Sequence, residues 1–483
     1  MRGSNPLAPT IFSFQYVGYS SGVLILLWSI VLDRLFPLLY IQPIPKQVLI
    51  PKLPQRHSRC PHQGAPQMSR LPARHRLLPI VLLIPVSLML WMAIASAVDP
   101  ARPDRAPTWL SEAETYGLWY SDLASEEEIR AYQAFSFINW GQPCSNQKWV
   151  KEFHNFGIRS IAYVSFYKAP AIPDVEDRRR WEGGSPGVEE CKRNPFWQAV
   201  DLSNHPGWRL IGENGEVKRP FNNPKYPPGW SQVCTNVEGY SEAVLRGVRE
   251  IMDLGFDGLF IDNAHPEVCF GPERGKHKHV HADKNNPETY KMLLAEVRRL
   301  VKSYGDDKVC VLNSGDLREE YAEYSDGLMW ESYIFGGFQR RQDWPQVRKA
   351  ADDWRQYVDR GKAVLALSNV GGENEEQRKE NAFYAYACAK LSGFLWAHYD
   401  ELNEVRIGRP MDDIRLANGV HYRIYENGLV AVNPDREAQT VEIPLNTKDA
   451  AFVDVFTGKT LKAENGCLKI AVPRNAGRVY RSG

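Results

Sequence analysis

Gly255-Phe-Asp-Gly-Leu-Phe-Ile-Asp-Asn263, with Ala264 and His265 behind it, is the stretch around which the rest of the chain can be ordered. Gly255 closes a helical pattern over Ser241–Leu254, and Asp257-Gly258 reads as the turn into the next element. Leu259, Phe260 and Ile261 form the short, unbroken apolar run expected of a strand buried on both faces of a parallel sheet. The run stops at Asp262 and Asn263. In a barrel of alternating strands and helices, catalytic groups collect at the C-terminal strand ends. Asp262 is therefore a candidate working carboxylate.

The same alternation continues on both sides. Strand-like runs fall at Tyr116–Tyr120, Phe135–Trp140, Ile158–Phe166, Gly258–Ile261, Val309–Leu312, Gly327–Trp330, Ala363–Leu367 and Phe394–Ala397. Helical patterns at Glu126–Tyr132, Lys148–Phe156, Ser241–Leu254, Pro287–Tyr304, Trp344–Arg360 and Glu375–Leu391 separate most of them. Eight strands with helical spacers predict an α/β fold, a (β/α)8 TIM barrel over residues 98–414. A doubly wound sheet would need fewer strands and usually a glycine-rich phosphate turn, which is absent. Residues 168–236 interrupt the barrel with Pro, Gly, Asn and Trp, and read as a loop excursion. From 415 to 483, short runs separated by Asn-Gly and Thr-Gly turns predict a small C-terminal all-β sandwich. Glu426-Asn427-Gly428 is its strongest hairpin signal.

The front of the chain is different. Met68–Arg76 is basic, Leu77–Ile94 is apolar, and Ala95-Ser96-Ala97 is a small-x-small cleavage site. This is the pattern of a secretory signal over residues 68–97, leaving residues 1–67 as an upstream extension of the reading frame. A two-span membrane anchor is the alternative. With the signal removed, no stable membrane span is expected, and the destination is secreted, periplasmic or cell envelope. Hydrophobic residues make up 43% of the 483 and aromatics 11%, enough for a large core. A formal charge of +1 gives no electrostatic reason to expect nucleic acid as a partner. Cys310 and Cys388 lie among apolar neighbours and read as buried thiols. One or two disulfides are expected among Cys144, Cys191, Cys234 and Cys269.

In a barrel, the polar residues behind each strand meet in one pocket. Here they are Asp122, Asn139, Tyr167, Asp262, Asn263, His265, Asn313, Glu331, Asn369, His398 and Asp400. Cleaving a glycosidic bond needs two carboxyl groups flanking the sugar. Asp262 and Glu331 directly follow apolar strands four and six and form the best pair, with Asp262 as nucleophile and Glu331 as general acid/base. Aromatic neighbours such as Trp330 would raise the Glu331 pKa toward that of an acid. Asn263, His265, Asn139, Asn313, Tyr333, Asn369, His398 and Asp400 are candidate substrate contacts. The bland reading is that Asp262-Asn263 ends a strand and Glu331 pairs with an arginine. Trp181, Trp197, Trp208 and Trp230 are expected to wall a carbohydrate cleft. His277-x-His279-x-His281 lies in a lysine-rich stretch and reads as surface loop, so neither metal nor cofactor is expected. P-loops, Cys-x-x-Cys pairs and Gly-x-Ser-x-Gly are absent.

At these residues a resemblance emerges. Gly255–Asn263, preceded by Val233-Cys-Thr-Asn236 and Tyr240, and the later Met329-Trp-Glu-Ser332, resemble glycoside-hydrolase barrels related to the dextranase and endo-polygalactosaminidase families. The resemblance implies a fourth-strand nucleophile and a sixth-strand acid/base, which map onto Asp262 and Glu331. The expected function is hydrolysis of O-glycosidic bonds in a poly- or oligosaccharide by a retaining mechanism. A non-catalytic carbohydrate-binding or cell-envelope protein on the same scaffold is the rival.

Overall fold

In the computed structural model the described residues are 105–483, except 120–125, 131–132, 134, 141–146, 176–186, 225, 315–318, 337–339, 369, 398–400 and 446–448. The signal-like segment and residues 1–67 lie outside them. So do Asp122, Cys144, Trp181, Asn369, His398 and Asp400.

Eight parallel strands form one sheet in sequence order. They are β1 (Tyr116–Trp119), β2 (Phe137–Trp140), β3 (Arg159–Val164), β4 (Gly258–Ile261), β5 (Val309–Asn313), β6 (Gly327–Trp330), β7 (Ala363–Leu367) and β8 (Leu395–Ala397). A parallel bridge between Thr115 and Trp396 brings β8 back beside β1 and closes the ring. Each intervening segment carries a helix: α1 (Glu126–Arg130), α2 (Gln147–Asn155), α3 (Tyr240–Asp253), α4 (Asn286–Lys302), α5 (Glu319–Ala322), α6 (Trp344–Asp359) and α7 (Glu375–Ser392). This is the expected (β/α)8 barrel, and its strand limits fall within a few residues of the apolar runs.

β4 shows why the sequence folds this way. Its four residues are all buried, with β3 pairing on one side and β5 on the other. A Cβ at Gly258 would stand 2.0 Å from the Val309 carbonyl oxygen, so only glycine lets β4 lie against β5 here. Asp257 proves to be more than a turn residue. It is fully buried at the N-terminal end of β4, bonded to Lys308 Nζ at 2.9 Å and the Ser160 amide at 3.3 Å. Asp326, ahead of β6, repeats the device with Arg298 at 3.0 Å, Lys302 at 2.9 Å and the Cys310 amide at 2.8 Å. The two acids lace neighbouring strands together at the floor, the end opposite the strand ends that hold Asp262 and Glu331.

The excursion after β3 is not an open loop. Lys168–Pro170 pairs with Trp230–Gln232, and the short helix Pro195–Ala199 packs on α3 at Gly247. Trp197, Trp208 and Trp230 are buried in it; the first and last meet edge to face at 5.1 Å. Their expected role as cleft walls is therefore corrected: burying large rings is how this segment acquires a core.

Behind the barrel come β9 (Arg415–Ala417), β10 (Val420–Tyr425), β11 (Gly428–Asn433), β12 (Gln439–Pro444), β13 (Ala451–Asp454), β14 (Thr460–Lys462), β15 (Cys467–Val472) and β16 (Ala476–Ser482). Six form a sheet in the order β9-β10-β11-β16-β13-β14, and β12 pairs with β15. Leu429, Ala431 and Tyr480 face the sandwich core with Val441, Ile443, Leu468 and Ile470. Their alternates Val430, Val432 and Val479 join the barrel's core instead. The reason is α7. Every residue from Ala382 to Ser392 is buried, because the helix lies between the barrel strands and this sheet. Gly477 permits the contact; a Cβ there would come within 2.6 Å of the Tyr384 Cα. Among the described residues no helix is long and apolar enough to cross a membrane.

Candidate active site

Asp262 leaves β4 with its amide bonded to the Val164 carbonyl at 2.8 Å, so the residue is still held by the ladder when its side chain reaches the mouth. Three donors converge on its carboxylate. Tyr163 Oη donates to Oδ2 at 2.6 Å, Asn263 Nδ2 donates to the same oxygen, and Asn313 Nδ2 donates to Oδ1 at 2.9 Å. Together they fix its orientation.

Glu331 follows β6 directly. The same Asn313 Nδ2 donates to its Oε2 at 2.9 Å, so one amide nitrogen touches both carboxyl groups. The two oxygens can be separated by no more than twice that length. Glu331 opens to the mouth while its surroundings pack around it. Partial desolvation and then the Asp262 charge raise its pKa above the ordinary glutamate value, against the Asn313 bond and Lys168, which lower it. A carboxyl group whose pKa is raised, beside one held by three donors, is the pairing that acid-assisted bond cleavage uses.

Both carboxylates are followed by backbone in the left-handed region. Asn263 has φ 56° and Ser332 φ 59°. Asparagine tolerates this conformation; serine and above all the β-branched Ile334, at φ 66°, do not. Strain of this kind persists where the surroundings dictate it: the Tyr333 amide bonds the Leu367 carbonyl at 2.8 Å, and the Ile334 carbonyl accepts from Gln342 at 2.7 Å.

The remaining candidates divide. Asn313 and Asn263 meet at Asp262, and Asn139 is buried on β2. His265 is half-buried, its ring 4.8 Å from that of Tyr167, with Phe221 beyond at 6.0 Å. Phe221 remains 47% exposed and is an aromatic that the excursion presents beside His265. Tyr333 is corrected. It is fully buried, packed edge to face on Trp330 at 4.7 Å, and turned from the mouth by the reversed backbone at Ser332. Two residues near the carboxylates carry no distinct signal in the sequence. Tyr163 is legible there only as a strand residue. Lys168, buried and bonded to Tyr226 Oη at 2.9 Å, sits at the start of the excursion.

The histidine stretch is corrected too. His277 and His279 turn inward onto Cys234 and Cys269, all four ligand atoms lying within 4.8 Å of one another. Among the described residues Cys191, Cys234, Cys269, Cys310, Cys388 and Cys467 are free thiols, so no disulfide forms among them. Cys310 and Cys388 are buried, as expected.

A closed (β/α)8 barrel with paired carboxyl groups at its C-terminal mouth is an arrangement that glycoside hydrolases use. Residues 180–429, just over half of the sequence, match hypothetical glycosyl hydrolase family 15, and the chain belongs to that family. No curated protein sequence matches the chain significantly. Among solved structures, it is similar to an Anoxybacillus alpha-amylase at 12% identity and TM-score 0.44, covering 78% of this chain and 99% of that one. The maltogenic alpha-amylase AmyB from Thermotoga neapolitana gives 11% identity, TM-score 0.47, and coverage of 78% and 100%. Eubacterium rectale Amy13B gives 11%, 0.46, and coverage of 79% and 98%. Likeness at this level does not transfer substrate or mechanism.

Proposed function

We propose that the protein is a secreted, retaining glycoside hydrolase acting on a poly- or oligosaccharide, with Asp262 as nucleophile and Glu331 as general acid/base. The observation that carries the reading is the single Asn313 nitrogen bonded to both carboxyl groups. Oxygens no further apart than twice 2.9 Å suit direct attack by a carboxylate; inversion needs ~6.5–9.5 Å to admit a water. The raised pKa of Glu331 suits a proton donor. The basic and apolar segments over residues 68–97 are the ground for export. The resemblance of Gly255–Asn263 and Met329–Ser332 to dextranase-like barrels favours the same division of roles.

In the first step Glu331 gives its proton to the glycosidic oxygen as the Asp262 carboxylate attacks the anomeric carbon. The carbon–oxygen bond breaks, the shortened sugar leaves as an alcohol, and a glycosyl ester remains on Asp262. In the second step the Glu331 carboxylate takes a proton from water. That water attacks the anomeric carbon, the ester bond breaks, and both side chains return to their starting states. Asn313, bonded to both, keeps the pair in register throughout.

A panel of polysaccharides and aryl glycosides, run with wild type, Asp262→Asn and Glu331→Gln, tests the assignment. Wild type should release reducing ends from at least one substrate, and both variants should lose nearly all of that activity. Activity surviving both substitutions would rule out these roles for the two carboxyl groups. Binding without turnover by wild type would favour a carbohydrate-binding protein.

A further inference from the structure

We propose that Cys234, Cys269, His277 and His279 form a structural zinc site that ties the 168–236 excursion to the loop leaving β4. The proposal rests on how residues far apart in sequence meet. Cys234 ends the excursion, whereas Cys269, His277 and His279 belong to the segment that follows Asp262. Cys234 Sγ stands 3.4 Å from His279 Nε2, and Cys269 Sγ stands 3.4 Å from His277 Nε2. With Zn–S of about 2.3 Å and Zn–N of about 2.0–2.1 Å, neighbouring ligand atoms in a tetrahedral S2N2 site lie about 3.5 Å apart. The two S–N spacings match, and all four atoms lie within 4.8 Å of one another. Two thiol and two imidazole donors select a thiophilic tetrahedral ion such as zinc over calcium or magnesium.

The surroundings are shaped for this. A Cβ at Gly271 would fall 2.1 Å from His277 Nε2, so glycine is what lets that imidazole swing in over the chain. The Ile211 amide donates to Cys269 Sγ at 3.4 Å, a bond that suits a thiolate. Backbone pairing holds His279 beside Cys234: Val280 N donates to the Asn236 carbonyl at 2.8 Å, and His281 N to Asn236 Oδ1 at 2.9 Å. Asn236 Nδ2 then reaches the His281 and Lys284 carbonyls at 2.8 and 2.9 Å. Both cysteines are buried and both histidines half-buried. Four protein donors complete the shell, so the ion would hold structure rather than perform chemistry. A Cys234–Cys269 disulfide is the competing use of the same sulfurs. It would leave both imidazoles facing sulfurs that need no partner.

The test uses the full chain, purified under reducing conditions without chelator. Elemental analysis should give one zinc per chain. After chelation, cobalt(II) should bind with one equivalent and show tetrahedral visible bands with a thiolate charge-transfer band, and zinc should displace it. His279→Ala keeps both sulfurs, yet should weaken metal binding by more than the roughly 10–100-fold typical of outer-shell changes. Cys234→Ser with Cys269→Ser should abolish the charge-transfer band. Wild-type protein that takes up neither metal, or whose Cys234 and Cys269 are found bridged in peptide mapping of a second preparation made without reductant, overturns the proposal. The wild-type titration decides the matter even where a variant fails to fold.

Discussion

Replacing Asn313 by alanine tests the coupling of the two carboxyl groups without removing either. The side chain makes a 2.9 Å bond to Asp262 Oδ1 and another to Glu331 Oε2, and its deletion removes both. A hydrogen bond to a charged group is worth about 1.5–3 kcal/mol. Asp262 keeps Tyr163 and Asn263, so its loss is buffered. Losing one such bond's worth of transition-state positioning lowers kcat/KM by about 10–100-fold, at about 1.4 kcal/mol per tenfold. The pH dependence carries the sharper signature. Asn313 donates to Glu331 and so favours its carboxylate form, holding the pKa down against burial and the Asp262 charge. Without that bond the protonated form gains. Because the protonated form is the proton donor, the basic limb of the kcat/KM profile must move to higher pH. The assay is the pH–rate profile of wild type and Asn313→Ala on the best substrate of the panel. A limb that stays in place or moves down, or an unchanged kcat/KM, refutes the bridging role.

Three further outcomes are expected. Tyr163→Phe removes a 2.6 Å bond to Asp262 and should lower kcat/KM about tenfold or more while leaving the melting temperature nearly unchanged, as steady-state kinetics and thermal unfolding will show. Asp326→Asn leaves Arg298 and Lys302 facing a neutral amide; both cations retain some solvent, so urea unfolding should register a loss of about 3 kcal/mol. Lys390 is buried against the Glu114 and Phe394 carbonyls, and burial lowers its pKa from 10.5 to about 8. Between those two values the unfolded chain binds a proton that the folded one has released, so stability rises with pH by up to about 3 kcal/mol. Lys390→Met should abolish that rise in a series of denaturant titrations across the window.

What is legible in the sequence is whatever a continuous run encodes. Strands buried on both faces show as uninterrupted apolar stretches, which is why Leu259–Ile261 and Ala363–Leu367 read correctly and eight such runs point to the barrel. Asp262 and Glu331 stand out because each ends such a run. Harder to read is anything set by a reversal of the chain or by a distant partner. Tyr333 lies two residues beyond Glu331, but the positive φ at Ser332 sends its ring into the core. His277 and His279 look like surface residues until Cys234 arrives from more than forty residues upstream. The tryptophans of the excursion look like sugar platforms because composition cannot tell a ring that fills a core from one that lines a cleft. Asp257 looks like a turn residue for a similar reason: its partner Lys308 lies on the approach to another strand.

The burial of α7 on every side over Ala382–Ser392 has a consequence for how this protein comes to exist during synthesis. Sheet strand β16, which covers the helix, is the last element of the chain. A ribosome that has released all eight barrel strands has still not supplied the lid for Ala382–Ser392. Until Ala476–Ser482 emerges, a greasy helical stripe faces water, and the nascent barrel is sticky along it. Chains cut before Ala476 should therefore aggregate rather than persist as free barrels, and a strand that follows every barrel strand in sequence acts as the latch of the fold.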